Sequence, residues 1–157
     1  MPYEIELAPR PALVESIEQV WHERIPLASQ LGIRIVRLDD RCLEVAAPLA
    51  ANCNHMGTGF AGSLLAVASL AGWGAVVAVL ERVDAGQVVV QETNASFMEP
   101  VTGDFRVHGL LPDADARARF LDAFRRYGRA RVGIVVEAVQ AGRVAMRAES
   151  RFVAMRV

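Results

Sequence analysis

A polar loop, Asn52-Cys53-Asn54-His55-Met56-Gly57-Thr58-Gly59, feeds directly into a run of small and apolar residues that reaches Leu80. These residue types can work on a carbonyl without a metal. Backbone N–H groups at a helix start have no partner inside the helix, and beside Gly57, Gly59 and Gly62 they can approach and polarise a ligand carbonyl. Ala61 and Gly62 are the N–H donors of that arrangement. Asn54 carries both donor and acceptor, so it can hold a water or a carbonyl, or serve as a turn residue or helix cap. His55 beside it is a candidate general base or hydrogen-bond donor, or a loop residue bonded to a nearby carbonyl. Thr58 and Ser63 flank the helix start, where hydroxyls cap orphan N–H groups and also reach a substrate.

From Val45 to Leu80 there is no Asp, Glu, Lys or Arg. Any carboxylate for this site must come from elsewhere, and Glu92, on a strand later in the chain, is the candidate replacement. Arg125, Arg126, Arg129 and Arg131 form the densest basic cluster, suited to the phosphates of a coenzyme or carrier arm, and Arg129 and Arg131 are the candidate substrate contacts within it. Cys42 and Cys53 fit neither a Cys-x-x-Cys nor a zinc spacing, and His22, His55 and His108 give no i, i+4 pair. No metal and no cofactor are expected, and the cysteines read as free thiols of a reducing cytoplasm.

The elements that must position these groups follow from periodicity. Pro11, then Leu13, Val14, Ile17, Val20 and Trp21, make an amphipathic helix stopped by Ile25-Pro26. Ile33 to Leu38 and Leu43 to Ala47 read as a hairpin across Asp39-Asp40-Arg41. The charge-free helix follows, apolar on all sides and therefore buried, with Gly62, Ala66 and Ser69 giving one face for close packing. Val88 to Met98 and Phe105 to Leu111 read as antiparallel neighbours. Pro112-Asp113 opens a second amphipathic helix whose Phe120, Phe124 and Tyr127 share a face and which Gly128 closes. Ala130 to Ala138 and Val144 to Phe152 alternate around Ala141-Gly142 as a final hairpin.

The 157 residues suit a single domain, with 1–24 as an N-terminal helical extension. A net charge of −1 from 17 basic and 18 acidic residues points away from nucleic acid. The first ten residues, with two acids and no apolar core, do not read as a signal peptide. Gly59 to Leu80 is long enough to cross a bilayer but is rich in Ala, Gly and Ser and lacks aromatic or basic flanks, so it reads as a core helix.

Four segments carry a family resemblance: Ile25 to Ile33, Ala47 to Leu64, Ala71-Gly72-Trp73-Gly74, and Phe97 to Phe105 with its Phe-Met-Glu-Pro-Val-Thr-Gly-Asp-Phe. Together they resemble the hotdog-fold thioesterase domain that some bacteria carry fused behind an acetyltransferase. The resemblance implies an α+β fold in which a long antiparallel sheet wraps a central apolar helix. It also implies hydrolysis of an acyl thioester of coenzyme A or an acyl carrier protein. More distantly, the loop is similar to phenylacetate-type acyl-CoA thioesterases, whose Asn, Gly, Thr and second Gly fall on Asn54, Gly57, Thr58 and Gly62. Where that family has its His, first Gly and catalytic acid, this sequence has Phe60, Ala61 and Ser69. Gly57, Thr58, Phe60, Ser63 and Ser69 then become candidate substrate contacts, and Asn54, His55, Ala61, Gly62 and Glu92 the candidate catalytic set. Alternatives are a non-catalytic acyl-CoA sensor and a hotdog dehydratase or hydratase. The apolar run in Val88 to Met98 would be exposed on a lone sheet edge, so a homodimer or a dimer of dimers is expected.

Overall fold

The computed structural model describes residues 10–157. Helices α1 (Pro11–Arg24) and α2 (Pro26–Leu31) precede strands β1 (Arg34–Leu38) and β2 (Cys42–Ala47). Helix α3 (Ala61–Leu80) leads to β3 (Gln87–Phe97) and β4 (Phe105–Leu110), and helix α4 (Ala114–Tyr127) to β5 (Arg129–Gln140) and β6 (Arg143–Met155). The signal-peptide reading falls almost wholly on residues 1–9, outside those described.

The strands form one antiparallel sheet in the order β1-β2-β4-β5-β6-β3. The hairpin expected at each end of the chain is present, β1 with β2 and β5 with β6. The pairing expected between β3 and β4 is not: β3 pairs with β6, and β4 lies between β2 and β5. Alternation gives a strand its two faces but not its neighbour, and the long β5–β6 hairpin occupies the place between them. Helix α2 was also unexpected. Pro26 stops α1 but is at home in the first turn of a new helix, which Gly32 ends with φ 66°.

The inner face of the sheet wraps α3, which is the hotdog arrangement. Val132, Ile134, Val136 and Ala138 of β5 and Met146, Ala148 and Phe152 of β6 join Val76, Ala75 and Ala71 in one buried cluster. Two glycines let helix and sheet touch. A Cβ on Gly109 would fall 2.6 Å from the Ala71 carbonyl oxygen, and one on Gly72 2.7 Å from the Phe152 ring. Close approach therefore runs through Gly72 and not through the expected face of Gly62, Ala66 and Ser69. That face is the uncovered one, with Gly62 and Ser69 exposed and Ala66 half-buried. Helix α3 has the length and hydropathy of a membrane span, yet 61% of its most apolar window is buried inside this fold.

Helix α4 is capped as its sequence indicates, Asp113 accepting from the Ala116 N–H at 2.8 Å and Gly128 closing it with φ 67°. Phe120 and Phe124 are buried, but Tyr127 is 71% exposed. It lies in the last turn, where the chain is already leaving the sheet, and Arg126 packs over its ring.

Candidate functional site

The N-terminus of α3 is open. Its N-cap is Phe60, which has no capping side chain, and among the described residues no acceptor takes the N–H groups of Ala61, Gly62 or Ser63. The expected hydroxyl caps are not made. Thr58 instead accepts from the Asn54 Nδ2 at 2.8 Å, and Ser63 bonds to none of the described groups. Phe60, 53% exposed, turns its ring over Gly62, where a Cβ would fall 2.5 Å from the ring. A side chain at 62 would therefore have to displace that ring.

Backbone and buried amides hold this end in place. Asn52 is 1% exposed; its Nδ2 donates to the Leu31 carbonyl at 2.9 Å and the Pro48 carbonyl at 2.8 Å. Its own carbonyl accepts from the Phe60 N–H at 2.8 Å, so the residue that starts α3 is tied to the end of α2. Gly59 donates to the Val101 carbonyl at 2.8 Å and could not carry a side chain, because a Cβ would fall 2.8 Å from Val101. Such preorganisation is what lets backbone dipoles stabilise charge as it develops on a substrate.

Asn54 is wired into its own turn. Its Oδ1 accepts from the N–H groups of Met56 and Thr58 at 2.9 and 3.1 Å, while its Nδ2 donates to Thr58. One amide hydrogen of Asn54 remains for a ligand or water. Gly57 takes the positive φ of 78° that this turn needs. His55 is exposed at the rim of the loop, with no hydrogen bond to any described residue.

The facing wall falls within the Phe97 to Phe105 segment that carries the family resemblance, although no site residue is expected in it from sequence. Residues 98–104 are strapped to the end of β5 by Gln140, buried, whose Oε1 accepts from the Thr102 N–H at 2.7 Å and whose Nε2 donates to the Pro100 carbonyl. Asp104 accepts from the Leu49 N–H at 2.9 Å. Glu99 is the acid nearest Val101 along the chain, but Arg143 pairs with it at 2.9 Å. The available signal was the turn composition Pro100-Val101-Thr102-Gly103 between two strands, which marks a loop without saying what it touches.

Three sequence candidates do not gather at the helix start. Glu92 lies on the outer face of the sheet, bonded to Arg151 at 2.6 Å and to Asn94 at 3.3 Å. A bulge is the cause. Val90 opposes Phe152, whose ring meets Gly72 of α3, and the next aligned pair is Glu92 with Arg151. The extra residue, Gln91, reverses the alternation, so Glu92 turns outward and Thr93 inward. Arg131, which donates to the Gln91 Oε1 at 3.2 Å, and Arg129 lie at the start of β5. Gln140, at the other end of that strand, is the residue strapped beside the helix start, so nine residues of about 3.3 Å each separate Arg131 from it. Within one chain these arginines therefore stand at the opposite end of β5 from the strap beside Ala61 and Gly62. Ser69 does line the uncovered face of α3, its Oγ donating to the Leu65 carbonyl at 2.8 Å.

Cys53 is exposed in the loop, and Cys42 is buried on β2. Burial pushes the Cys42 thiol up from about 9 to about 12, outweighing the opposing pull of Arg37. Among the described residues no three His, Cys, Asp or Glu side chains gather within reach of one metal ion.

A fixed pair of unpartnered N–H groups at a helix start can polarise a carbonyl, and the loop that feeds it carries an imidazole at its tip and a spare amide hydrogen. Comparison with known proteins bears on that chemistry. A solved structure described as a "putative thioesterase" from Shewanella oneidensis is 28% identical with a TM-score of 0.82, over 92% of this chain and 98% of that one. A protein of unknown function from Chlorobaculum tepidum is 25% identical with a TM-score of 0.83, over 92% and 95%. At 24% identity and a TM-score of 0.75, over 90% and 94%, a Pseudomonas aeruginosa protein described as a "probable thioesterase" shares the fold. Fold and family together support thioester hydrolysis in general. Residues 14–156 match the family described as "putative thioesterase (yiiD_Cterm)", and the chain belongs to that family.

Proposed function

We propose that the protein is a homodimeric hydrolase of acyl thioesters, of coenzyme A or an acyl carrier protein, that works in the cytoplasm without a metal. The observation that carries this reading is the uncapped start of α3, where the Ala61 and Gly62 N–H groups stand free beside a loop fixed by Asn52 and Asn54. The thioester carbonyl oxygen accepts from these two groups. A water held by His55 and the free amide hydrogen of Asn54 adds to the carbonyl carbon, giving up a proton to His55. Negative charge builds on the oxygen, where each donor of this kind contributes about 10²–10³ in rate. The C–S bond then breaks, and the leaving thiolate takes the proton from His55.

The dimer completes the site. Strand β3 has a free edge, with Val89 on one face of the sheet and Val90 on the other, 46% and 45% exposed, and with Phe97 and Met98 exposed at its far end. A second copy pairing along β3 would cover these side chains together with that edge.

One observation favours a second reading, an acyl-binding module without turnover: among the described residues no carboxylate bonds to Asn54, His55 or the helix start. A panel of short, long and aromatic acyl-CoA thioesters, followed by detection of released thiol, separates the two. The hydrolase reading expects release from at least one of them, unchanged by chelator. Binding in calorimetry with no release above background would establish the binding module instead.

A further inference from the structure

The inner face of β3 and β6 beneath the open side of α3 is apolar except at one place. There the Thr93 Oγ1 and the Ser150 Oγ lie 3.0 Å apart. Ser150 is 7% exposed and sits beside Ile134 of the core. Its neighbours along this face are Ala148 and Phe152, with Val90 and Ala95 flanking Thr93. Thr93 occupies this face only because the Gln91 bulge turned Glu92 outward.

Two hydroxyls carry two hydrogens, and one is used between them. Among the described residues no acceptor takes the other. Thr93 is exposed in the single chain, where water accepts that hydrogen; a partner strand along β3 would shut out much of that water, and a polar hydrogen on an apolar wall then has a cost unless something accepts it. Ser69 on α3 has the complementary need: its hydrogen goes to the Leu65 carbonyl, leaving its lone pairs free. Ser69 lies seven residues past Gly62, roughly 10 Å along the helix at 1.5 Å per residue. The Phe152 ring meets α3 at Gly72, and Ser150 and Ser69 both lie from that contact toward the helix start. Ser69, about one turn before Gly72, and Ser150, two residues before Phe152, thus flank the same helix–sheet contact.

We infer that the acyl group of the substrate carries a hydroxyl or keto oxygen about 10 Å from its thioester carbonyl, held by Thr93 and Ser150 and, where the oxygen bears a hydrogen, by Ser69. The inference rests on the thioester reading above and names its substrate class. A purely aliphatic chain would leave the spare hydroxyl hydrogen without an acceptor, whereas an oxygenated chain satisfies it. These residues select and do not catalyse.

The test compares plain and ω-hydroxylated acyl-CoA thioesters of six, eight and ten carbons, in turnover and, as thioether analogues that cannot be cleaved, in calorimetry. The expected result is about a fivefold or greater preference in kcat/KM for the hydroxylated member at one length, matched in affinity of the analogues. Thr93→Val and Ser150→Ala should each abolish the preference by raising KM for the hydroxylated substrate while leaving the plain one unchanged. Thr93→Ser should restore it, which a merely structural role would not do. Turnover with no preference at any length, or a preference that survives both substitutions, overturns the inference. Preference in binding without turnover sinks the hydrolase reading and leaves the polar station standing. Absence of binding by every analogue overturns both.

Discussion

The two edges of the sheet are built to opposite ends. Strand β1 is five residues long, is bulged between Ile35 and Arg37, and has its free Ile35 N–H taken by the Glu18 carboxylate of α1. Strand β3 is eleven residues long, with Val89 and Val90 in the open and, among the described residues, no strand paired along its outer edge. Short, bulged and covered strands resist pairing with other chains, while long apolar ones invite it. The contrast extends inward. Gly74 to Val79 in the C-terminal half of α3 are buried, while Gly62 and Ser69 in its N-terminal half are exposed. The difference teaches which edge is open to pairing, and it is the β3 edge that the proposed dimer uses.

Changes that attack the bare edge should have the largest effect. Val89→Lys with Val90→Lys is expected to give a monomer in light scattering and to reduce turnover at least a hundredfold, whereas Val36→Lys on β1 should leave the mass unchanged. A double-lysine protein that stays dimeric would remove the assembly role assigned to β3. Next comes the open helix end. Gly62→Val places a side chain against Phe60, and turnover should fall by about 10² with little change in melting temperature, because the position is exposed. Unchanged turnover would exclude the Gly62 N–H as an oxyanion donor.

The loop separates fixed from free groups. Asn54→Ala should lower both turnover, tenfold or more, and stability, by about 1 kcal/mol, since it removes turn hydrogen bonds. His55→Ala should lower turnover about tenfold and leave the melting temperature alone, because His55 holds nothing in place. Equal melting shifts for the two would contradict that division. The smallest effect distinguishes the thiols. Cys53 should react with a thiol reagent in the native protein and Cys42 only on unfolding. Because folding raises the Cys42 pKa from about 9 to about 12, its contribution to stability is complete below pH 9 and lost as pH rises toward 12. Cys42→Ala should flatten that alkaline loss, as measured by denaturant midpoint; a slope equal to that of the native protein would refute it.

Much of this was legible in the chain. The alternation of Ala130 to Ala138 and Val144 to Phe152 names the longest strands and their inner faces, and the charge-free run names the helix they wrap. The glycine at 128 and the aspartate at 113 mark the ends of α4 because caps are local events. What was hidden depends on long-range placement. Nothing local says that β3 pairs with β6 and not β4. Glu92 has the parity of Val88 and Val90 and looks inward until Gln91 shifts the count. Asn54 reads as a ligand-binding amide because its residue type shows donors and acceptors but not that its own turn takes most of them.

The pairing of β3 also orders events during synthesis. Among the described residues its only partner is β6, and the paired residues are 49 to 68 positions apart, from Phe97 with Met146 to Gln87 with Met155. At roughly 5–20 residues per second, the ribosome leaves Val88 to Val90 waiting several seconds for a template. During that interval the strand that we propose as the dimer edge has neither edge satisfied, and neighbouring nascent chains compete for it. Expression of this protein is therefore expected to be limited by chaperone supply more than by the stability of the finished fold, and a chain cut before Arg143 should be recovered in the insoluble fraction.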